Sequence, residues 1–226
     1  MGRELELRAV LFDLDGTLAD TALDMGQAIN RLRIEHELEP LPQEKIRPWV
    51  SMGSRGLLKI AFSVETEHAD YEDLKRRFLD LYVANLATHT TLFPGMDAAI
   101  RYLAANGITW GIVTNKPGWL TDPLLDQMAL DIKPACVVSG DTVEHAKPHP
   151  APVLHALDAI QAPATNTLFI GDADRDIAAG RAAGCTTMAA TYGYITDDDD
   201  VAGWQADFEL ARPEDLLPWL QARKSA

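Results

Sequence analysis

Two aspartates, one residue apart, close the first apolar run of this chain. Residues 9–12 are short, continuous and apolar, as in a buried strand, and Asp13, Asp15 and Gly16 follow at once. Gly16 permits a sharp turn, because a residue without a side chain reaches backbone conformations that others cannot. An Asp-Gly turn after a strand is common, and Asp-x-Asp-Gly also resembles part of a calcium loop. The chemistry of the two acids therefore depends on what the fold places beside them.

Three later segments also follow predicted strands with polar or charged residues. They supply a hydroxyl and an amide, a lysine, and a group of acids: Thr114-Asn115, Lys147-Pro148 and Gly171-Asp172-Ala173-Asp174-Arg175-Asp176. Parallel strands end at one edge of a sheet, where open α/β folds bind their ligands. We therefore expect the four segments to line one crevice, with Lys147 reaching back to it from beyond its strand.

The elements that hold these segments alternate between strand and helix. Further strands are predicted at 108–114, 135–139, 167–170, 186–190 and 208–210, and helices near 96–106, 118–129, 150–160, 174–184 and 213–223. Such alternation indicates βα units around a parallel sheet. The expected fold class is α/β, with a doubly wound, Rossmann-like parallel sheet.

Residues 21–87 interrupt this alternation, because they show only helical spacing. Met25, Ile29 and Leu32 are spaced to share one helix face, and we interpret them as core packing of a helical unit. Breaks are expected at residues 39–42 and 51–54. The chain is therefore expected to divide into two domains joined by hinges: a core of residues 1–18 and 92–226, an all-helical cap of residues 19–91, and hinges near 18–20 and 92–95.

Charge and composition restrict the partners of the chain. Its 226 residues carry 34 acidic and 20 basic side chains, a net charge of −14. Such a surface repels nucleic acid and anionic lipid, so neither is an expected partner, and a phosphate site must bring its own cations. No stretch is long and apolar enough to span a bilayer, and the start lacks a secretory pattern. With Cys136 and Cys185 expected as reduced thiols, a cytoplasmic location is the expectation.

In their order and relative spacing, the four segments resemble the haloacid dehalogenase-like superfamily, and within it the phosphoglycolate phosphatase-like members. The likeness covers essentially the whole chain, including the helical insertion, which in that family is a small cap. Finer agreement comes from Thr114-Asn115-Lys116-Pro117, from residues 145–150 and from Tyr192-Gly193-Tyr194. The resemblance implies a phosphatase acting on a small phosphorylated metabolite, as a monomer or homodimer.

Phosphomonoester hydrolysis gives each motif of this resemblance a role. Asp13 is expected to attack phosphorus and form an aspartyl-phosphate, which splits one difficult step into two. Asp15, titrating as a coupled pair with Asp13, is expected to protonate the leaving oxygen and later to accept a proton from water. Thr114 is expected to donate a hydrogen bond to a phosphoryl oxygen, and Lys147 to supply local positive charge.

Mg²⁺ is the expected cofactor, since it is a hard cation that binds oxygen ligands. The expected ligands are the carboxylates of Asp13 and Asp172 and the backbone carbonyl of Asp15. Asp176 is expected to support the metal site from the first turn of the following helix.

Substrate contacts are expected from Gly16, from Asn115 and from the cap. The backbone amide of Asn115 is expected to face the phosphate, while its side chain can cap the helix that begins near Pro117. Arg55, in a loop rich in glycine and serine, is the first choice for a cap contact, with Arg47 second.

The motifs leave the substrate open. The resemblance implies 2-phosphoglycolate, whereas Tyr192-Gly193-Tyr194 and Trp110-Gly111 look also like N-acetylmuramic acid 6-phosphate phosphatases. A sugar phosphomutase would use the same residues, with a sugar hydroxyl instead of water accepting the phosphoryl group. A dehalogenase has no use for a second acid, a metal or a phosphate-binding lysine, and a receiver-type signalling module has no use for the cap.

Overall fold

A six-stranded parallel sheet carries the fold in the computed structural model, which describes residues 6–224. The strands are β1 (Ala9–Phe12), β2 (Ala19–Asp20), β3 (Thr91–Leu92), β4 (Thr109–Val113), β5 (Val137–Val138), β6 (Thr167–Gly171), β7 (Thr186–Ala190) and β8 (Phe208–Leu210). The sheet order is β5-β4-β1-β6-β7-β8, with every pairing parallel. The predicted doubly wound parallel sheet is confirmed.

Helices connect the strands and also fill the region between β2 and β3. The described chain forms α1 (Ala22–Glu35), α2 (Gln43–Ile46), α3 (Gly53–Phe62), α4 (Tyr71–Val83), α5 (Met96–Ala105), α6 (Gly118–Met128), α7 (Ala151–Ile160), α8 (Asp174–Ala182) and α9 (Leu216–Lys224). A 3-10 helix, Arg47–Met52, precedes α3. None of the helices in residues 6–224 has both the length and the apolar character needed to cross a bilayer.

Both faces of the sheet are buried, which explains why its strands are continuously apolar. In β1, Val10 and Phe12 pack into one cluster with residues of α5, α6 and α9. Leu11, which points to the opposite face, packs into a second cluster with Val153 of α7 and Ala179 of α8. Helices therefore cover both faces, and only the ends of the strands remain open for a site.

The order of the strands places a crevice at β1. From β1 the chain builds β4 and β5 on one side, then crosses to β6, β7 and β8 on the other. In doubly wound sheets the ligand crevice lies at the carboxyl ends of the strands, where the strand order reverses direction. Asp13 follows β1, Thr114 follows β4 and Asp172 follows β6, so three of the four motifs meet at this point.

Residues 19–91 contain α1 to α4 and are bounded by a short antiparallel pair. Strand β2 pairs with β3 through Ala19 with Leu92 and Asp20 with Thr91. The sequence did not predict this pair, because strands of two residues show no periodicity. It joins the two connections between the helical region and the sheet, which is where the hinges were expected. The domain boundaries at 18/19 and 91/92 remain our proposal.

Helix α1 confirms the expected packing but ends earlier than expected. Met25, Ile29 and Leu32 are buried, as their spacing predicted. The helix stops at Glu35, before residues 39–42, because Glu37 takes a left-handed conformation with φ of 59°. The predicted break at residues 51–54 is present, since Gly53 has φ of 59° between the 3-10 helix and α3.

The two cysteines are free thiols, as expected. Burial raises the pKa of Cys136 to about 11 and that of Cys185 to about 12. Both therefore stay protonated at neutral pH and behave as small apolar side chains.

Candidate active site

Three buried carboxylates meet where β1 and β6 end. Asp13 follows β1, Asp172 follows β6, and Asp176 lies in the first turn of α8; each offers an oxygen within 4.8 Å of the others. Their exposed fractions are 3%, 1% and 0%, respectively. The Asp13 amide donates to Ile170 O at 2.9 Å, which extends the strand pairing up to the acid. Burying so much negative charge requires a compensating cation.

Lys147 supplies part of that compensation. Its Nζ lies 2.9 Å from Asp13 Oδ1, 2.7 Å from Asp176 Oδ1 and 2.7 Å from the Val113 carbonyl oxygen. Burial alone would lower the pKa of Lys147, but the charges of Asp13 and Asp176 outweigh it and raise that pKa. The lysine is therefore held charged inside the site.

Asn115 holds the Lys147 backbone in place. Its side-chain nitrogen donates to the Lys147 carbonyl at 2.9 Å, and its side-chain oxygen accepts from the Lys147 amide at 3.0 Å. This pairing explains how a lysine far beyond its strand returns to the sheet edge. The expectation that the Asn115 side chain caps α6 is wrong, because its amide group is engaged here and the first amide of α6, that of Gly118, donates to Asp141 Oδ1 at 2.8 Å instead.

Asp172 is buried beside two other acids and accepts hydrogen bonds from two donors. Burial, followed by the charges of Asp13 and Asp176, raises its pKa to about 8. The Tyr194 amide and the Ser51 hydroxyl each donate to its Oδ2 at 2.9 Å. A charged acid here therefore carries an electrostatic penalty that a bound cation would remove.

Gly16 and Gly193 allow the chain to pack directly against Asp172. A Cβ on Gly16, where φ is 89°, would lie 2.1 Å from Asp172 Oδ2, and one on Gly193 would lie 2.3 Å from Asp172 Cβ. Gly16, a predicted substrate contact, therefore borders the carboxylate cluster.

Asp15 has partners different from those expected. Lys116 Nζ lies 3.0 Å from its Oδ1 and 3.3 Å from its Oδ2, and the Thr21 hydroxyl donates to Oδ1 at 2.7 Å. The expected acid pair of Asp13 and Asp15 is replaced, because Asp13 clusters with Asp172 and Asp176 while the Asp15 side chain turns towards Lys116.

Lys116 was not predicted as a site residue, and it connects the sheet to helix α4. Its Nζ lies 3.0 Å from the Tyr82 hydroxyl and 4.8 Å from the centre of the Tyr82 ring. Burial would lower the pKa of Lys116, but the charge of Asp15 raises it overall. Its position two residues after Thr114 in the Thr-Asn-Lys-Pro segment was the available signal.

A cavity of about 680 Å³ opens above these groups. Its walls include six of the predicted residues, Asp13, Asp15, Arg55, Thr114, Asn115 and Lys147, together with Ser51, Tyr82 and Arg175. Thr114 is buried, and its hydroxyl accepts from the Lys116 amide at 3.1 Å. The structure thus brings the predicted hydroxyl, lysine and two acids to a single cavity between the sheet and the helical region.

The two predicted cap arginines lie in different places. Arg55 is exposed and lines the cavity. The expectation for Arg47 is wrong, because its Nη1 lies 2.9 Å from both oxygens of Asp20 and its guanidinium lies 5.0 Å from the centre of the Tyr194 ring. Arg47 therefore belongs to the β2–β3 junction.

The Tyr192-Gly193-Tyr194 segment also acts at that junction. The Tyr194 hydroxyl accepts from the Thr21 and Ala22 amides at 2.7 and 3.0 Å, so it satisfies free N–H groups at the start of α1. It also donates to Asp20 at 2.9 Å. A side chain distant in sequence therefore caps the start of α1.

Known proteins share this architecture along most of the chain. Residues 10–190 match the family described as haloacid dehalogenase-like hydrolase. A phosphoglycolate phosphatase of Xanthomonas campestris pv. campestris is 44% identical over 209 residues, 92% of this chain and 94% of that protein. An N-acetylmuramic acid 6-phosphate phosphatase of Pseudomonas aeruginosa is 35% identical over 215 residues, 95% of each chain.

Solved structures agree with these sequence matches. The crystal structure of a predicted phosphoglycolate phosphatase from Haemophilus somnus 129pt superposes with a TM-score of 0.82 at 27% identity, covering 96% of this chain and 99% of that one. The chain therefore belongs to the haloacid dehalogenase-like hydrolase family, as its motifs predicted, and it is an enzyme of the phosphomonoester hydrolase class.

Proposed function

We propose that this chain is a Mg²⁺-dependent phosphatase that hydrolyses 2-phosphoglycolate through an aspartyl-phosphate on Asp13. The observation that carries the proposal is the cluster of Asp13, Asp172 and Asp176, with oxygens within 4.8 Å of one another and Lys147 Nζ 2.9 Å from Asp13. The substrate is suggested by the 44% identical relative, whose name is phosphoglycolate phosphatase. A cytoplasmic location and a monomer or homodimer belong to the same proposal.

The donor set fits Mg²⁺. All three acids offer carboxylate oxygens, which this hard cation prefers, and Lys147 alone does not balance their charge. Asp13 and Asp172 would hold the ion together with the Asp15 carbonyl, and Asp176 would support them. When bound, Mg²⁺ would neutralise charge on the phosphoryl oxygens.

Asp13 is the proposed nucleophile of the first step. A carboxylate oxygen of Asp13 forms a bond to phosphorus while the bond from phosphorus to the leaving oxygen breaks. Asp15 gives its proton to that leaving oxygen, so the product departs as an alcohol. Lys116 and Thr21 hold the Asp15 carboxyl group at the cavity wall.

Water completes the reaction in the second step. Asp15 accepts a proton from a water molecule whose oxygen bonds to phosphorus, and the bond between phosphorus and Asp13 breaks. Inorganic phosphate leaves, and both aspartates return to their starting forms. Thr114 donates a hydrogen bond to a phosphoryl oxygen and Lys147 provides positive charge in both steps.

Residues 19–91 are the proposed cap. Three side chains of this region touch the core site directly: Ser51 contacts Asp172 at 2.9 Å, Thr21 contacts Asp15 at 2.7 Å, and Tyr82 contacts Lys116 at 3.0 Å. A cap seated in this way excludes bulk water, which strengthens the charge interactions around the substrate. The β2–β3 pair is the proposed hinge.

N-acetylmuramic acid 6-phosphate is the second candidate substrate. It is supported by the 35% identical relative that carries this activity in its name and by the Tyr192-Gly193-Tyr194 segment. Both candidates are phosphomonoesters that carry a carboxylate, so the chemistry at Asp13 is the same for each.

A substrate screen tests the proposal. We expect purified protein with Mg²⁺ to release phosphate from 2-phosphoglycolate with a kcat/KM at least about tenfold above the value for common sugar phosphates. Phosphate release is measured at several concentrations of each ester, including N-acetylmuramic acid 6-phosphate. A higher kcat/KM for the latter would favour the second candidate, and conversion of a sugar phosphate to its isomer without phosphate release would indicate a mutase.

Removal of divalent cations is expected to silence the enzyme. The three acids of the site would then confront the substrate phosphate without the cation that screens them, so phosphate release should fall to background in EDTA. Excess Mg²⁺ should restore it, whereas excess Ca²⁺, which is larger and takes more ligands, should restore little. Full activity in EDTA after exhaustive dialysis would contradict the proposed cofactor.

A further inference from the structure

Two cations of the cavity, Arg55 and Arg175, lack a carboxylate partner in the described part of the chain, and of these Arg175 is the one that is half-buried. Five cationic side chains line the cavity: Arg55, Lys75, Lys116, Lys147 and Arg175. Lys147 and Lys116 are engaged by acids of the site, and Lys75 pairs with Glu72 at 3.3 Å. Within residues 6–224, no carboxylate oxygen lies within 4.0 Å of the Arg175 guanidinium.

The helical region fixes the position of Arg175. Its Nη2 donates to the Ser51 carbonyl at 2.8 Å and lies 3.4 Å from the Ser51 hydroxyl. Ser51 in turn donates to Asp172, so the guanidinium is tied to the carboxylate cluster through a single residue. Arg175 is half-buried on the first turn of α8, between Asp174 and Asp176. A charge placed in this way retains N–H donors for a ligand in the cavity.

A guanidinium fits a carboxylate particularly well. Its planar fork donates two parallel hydrogen bonds to the two oxygens of one carboxylate. Lys147 and Thr114 lie on the core side, at the place proposed for the phosphoryl group, whereas Arg175 is bound to Ser51 on the cap side. When the phosphoryl group of an ester lies beside Asp13, the remainder of the ester extends towards the cap. A carboxylate on that remainder needs a local cation, because the chain carries a net charge of −14.

We propose that Arg175 is a specificity-determining residue that binds the carboxylate of a phosphorylated carboxylic acid. Both candidate substrates carry such a carboxylate, and the inference assigns the residue that recognises it. This inference rests on the proposed phosphatase function of the same cavity. Arg175 thus takes the place of Arg55 as the main arginine contact to the substrate. Arg55 is exposed and makes no ion pair in the described part of the chain.

Two pairs of esters test the inference, and in each pair only one member carries a carboxylate. In the first pair, 2-phosphoglycolate is compared with 2-hydroxyethyl phosphate; in the second, N-acetylmuramic acid 6-phosphate is compared with N-acetylglucosamine 6-phosphate. We expect the wild type to prefer the carboxylated member of at least one pair, and the pair with the larger preference identifies the source of the carboxylate. In Arg175→Gln the preference should fall by about 10- to 100-fold, mainly through KM, as expected when hydrogen bonds to a charged group are lost.

Matched variants separate this role from a structural one. Arg175→Lys keeps the charge without the fork and should lose less of the preference than Arg175→Gln does, and in each of these two variants the loss of kcat/KM should be larger for the carboxylated ester than for its carboxylate-free partner. Arg31→Gln makes the same change of net charge at an exposed site outside the cavity and should leave the preference unchanged. Thermal unfolding of each variant reports on folding.

Three results would overturn the inference. The first is equal hydrolysis of both members of each pair by the wild type. The second is a loss of kcat/KM in Arg175→Gln and in Arg175→Lys that is equal for the carboxylated and the carboxylate-free ester of each pair. The third is a preference that disappears in Arg55→Gln instead. A wild type that hydrolyses none of the four esters would overturn the proposed function, and the inference with it.

Discussion

Asp13→Asn is expected to reduce kcat/KM for the best phosphomonoester by about 10⁴-fold or more, the scale of losses when a covalent nucleophile is removed. The amide has nearly the shape of the carboxylate, but its oxygen is a poor nucleophile and its nitrogen repels a divalent cation. Both proposed functions of Asp13, attack on phosphorus and metal ligation, are therefore lost in one substitution.

The same substitution should leave the fold intact. Asp13 is one of three clustered acids, so removing its charge relieves repulsion with Asp172 and Asp176. Lys147 keeps Asp176 at 2.7 Å and the Val113 carbonyl at 2.7 Å, so the lysine does not become unpaired. We expect a melting temperature equal to or above that of the wild type, which separates loss of chemistry from loss of structure.

Kinetics and trapping measure this prediction together. Steady-state phosphate release gives kcat/KM. Acid quenching of a reaction with an ester labelled on its phosphoryl group should recover labelled phosphoprotein from the wild type but not from Asp13→Asn. Asp97→Asn, an exposed aspartate of α5 paired with Arg101, is the matched control and should behave as the wild type. Near-normal turnover by Asp13→Asn, or labelling retained in it, would refute the assignment of the nucleophile.

The sequence predicted those site residues whose positions depend on sheet geometry. Asp13, Thr114 and Asp172 each follow an apolar strand, and parallel strands have only one carboxyl edge. The apolar pattern and the shared edge were therefore enough to bring these three residues to one crevice. The prediction of Lys147 also required the family resemblance, because the hydropathy pattern does not reveal the Asn115 contact that holds Lys147 at the sheet edge.

Contacts between the helical region and the sheet were beyond prediction. Ser51 reaches Asp172 and Tyr82 reaches Lys116 only because of how helices pack over the crevice, and helical spacing gives a buried face without saying what it covers. The partner of Asp15 was missed for a related reason. Closeness in sequence suggested a pair with Asp13, but the turn after β1 sends the two side chains to different neighbours.

Lys147→Met is expected to destabilise the fold by about 3–5 kcal/mol in the absence of divalent cations, as when one partner of a buried ion pair is removed. The lysine is 3% exposed, and its ammonium group lies between Asp13 and Asp176. Methionine fills much the same space without charge, so the cost is that of leaving three carboxylates together without their cation. Activity should fall by about 10²- to 10³-fold as well, since a charge that faces the phosphoryl group is lost.

Urea unfolding in EDTA and in Mg²⁺ distinguishes the electrostatic explanation from a packing defect. Mg²⁺ should recover more stability in Lys147→Met than it adds to the wild type, because the ion replaces the missing positive charge. Adding Asp176→Asn to Lys147→Met should also recover stability, because one of the unpaired acids is then removed. Lys45→Met, at an exposed position of α2, is the control and should change little. An equal free energy of unfolding for Lys147→Met and the wild type in EDTA would mean that the buried lysine does not balance the charge of the three acids. That result would contradict the electrostatic argument for a divalent cation among them.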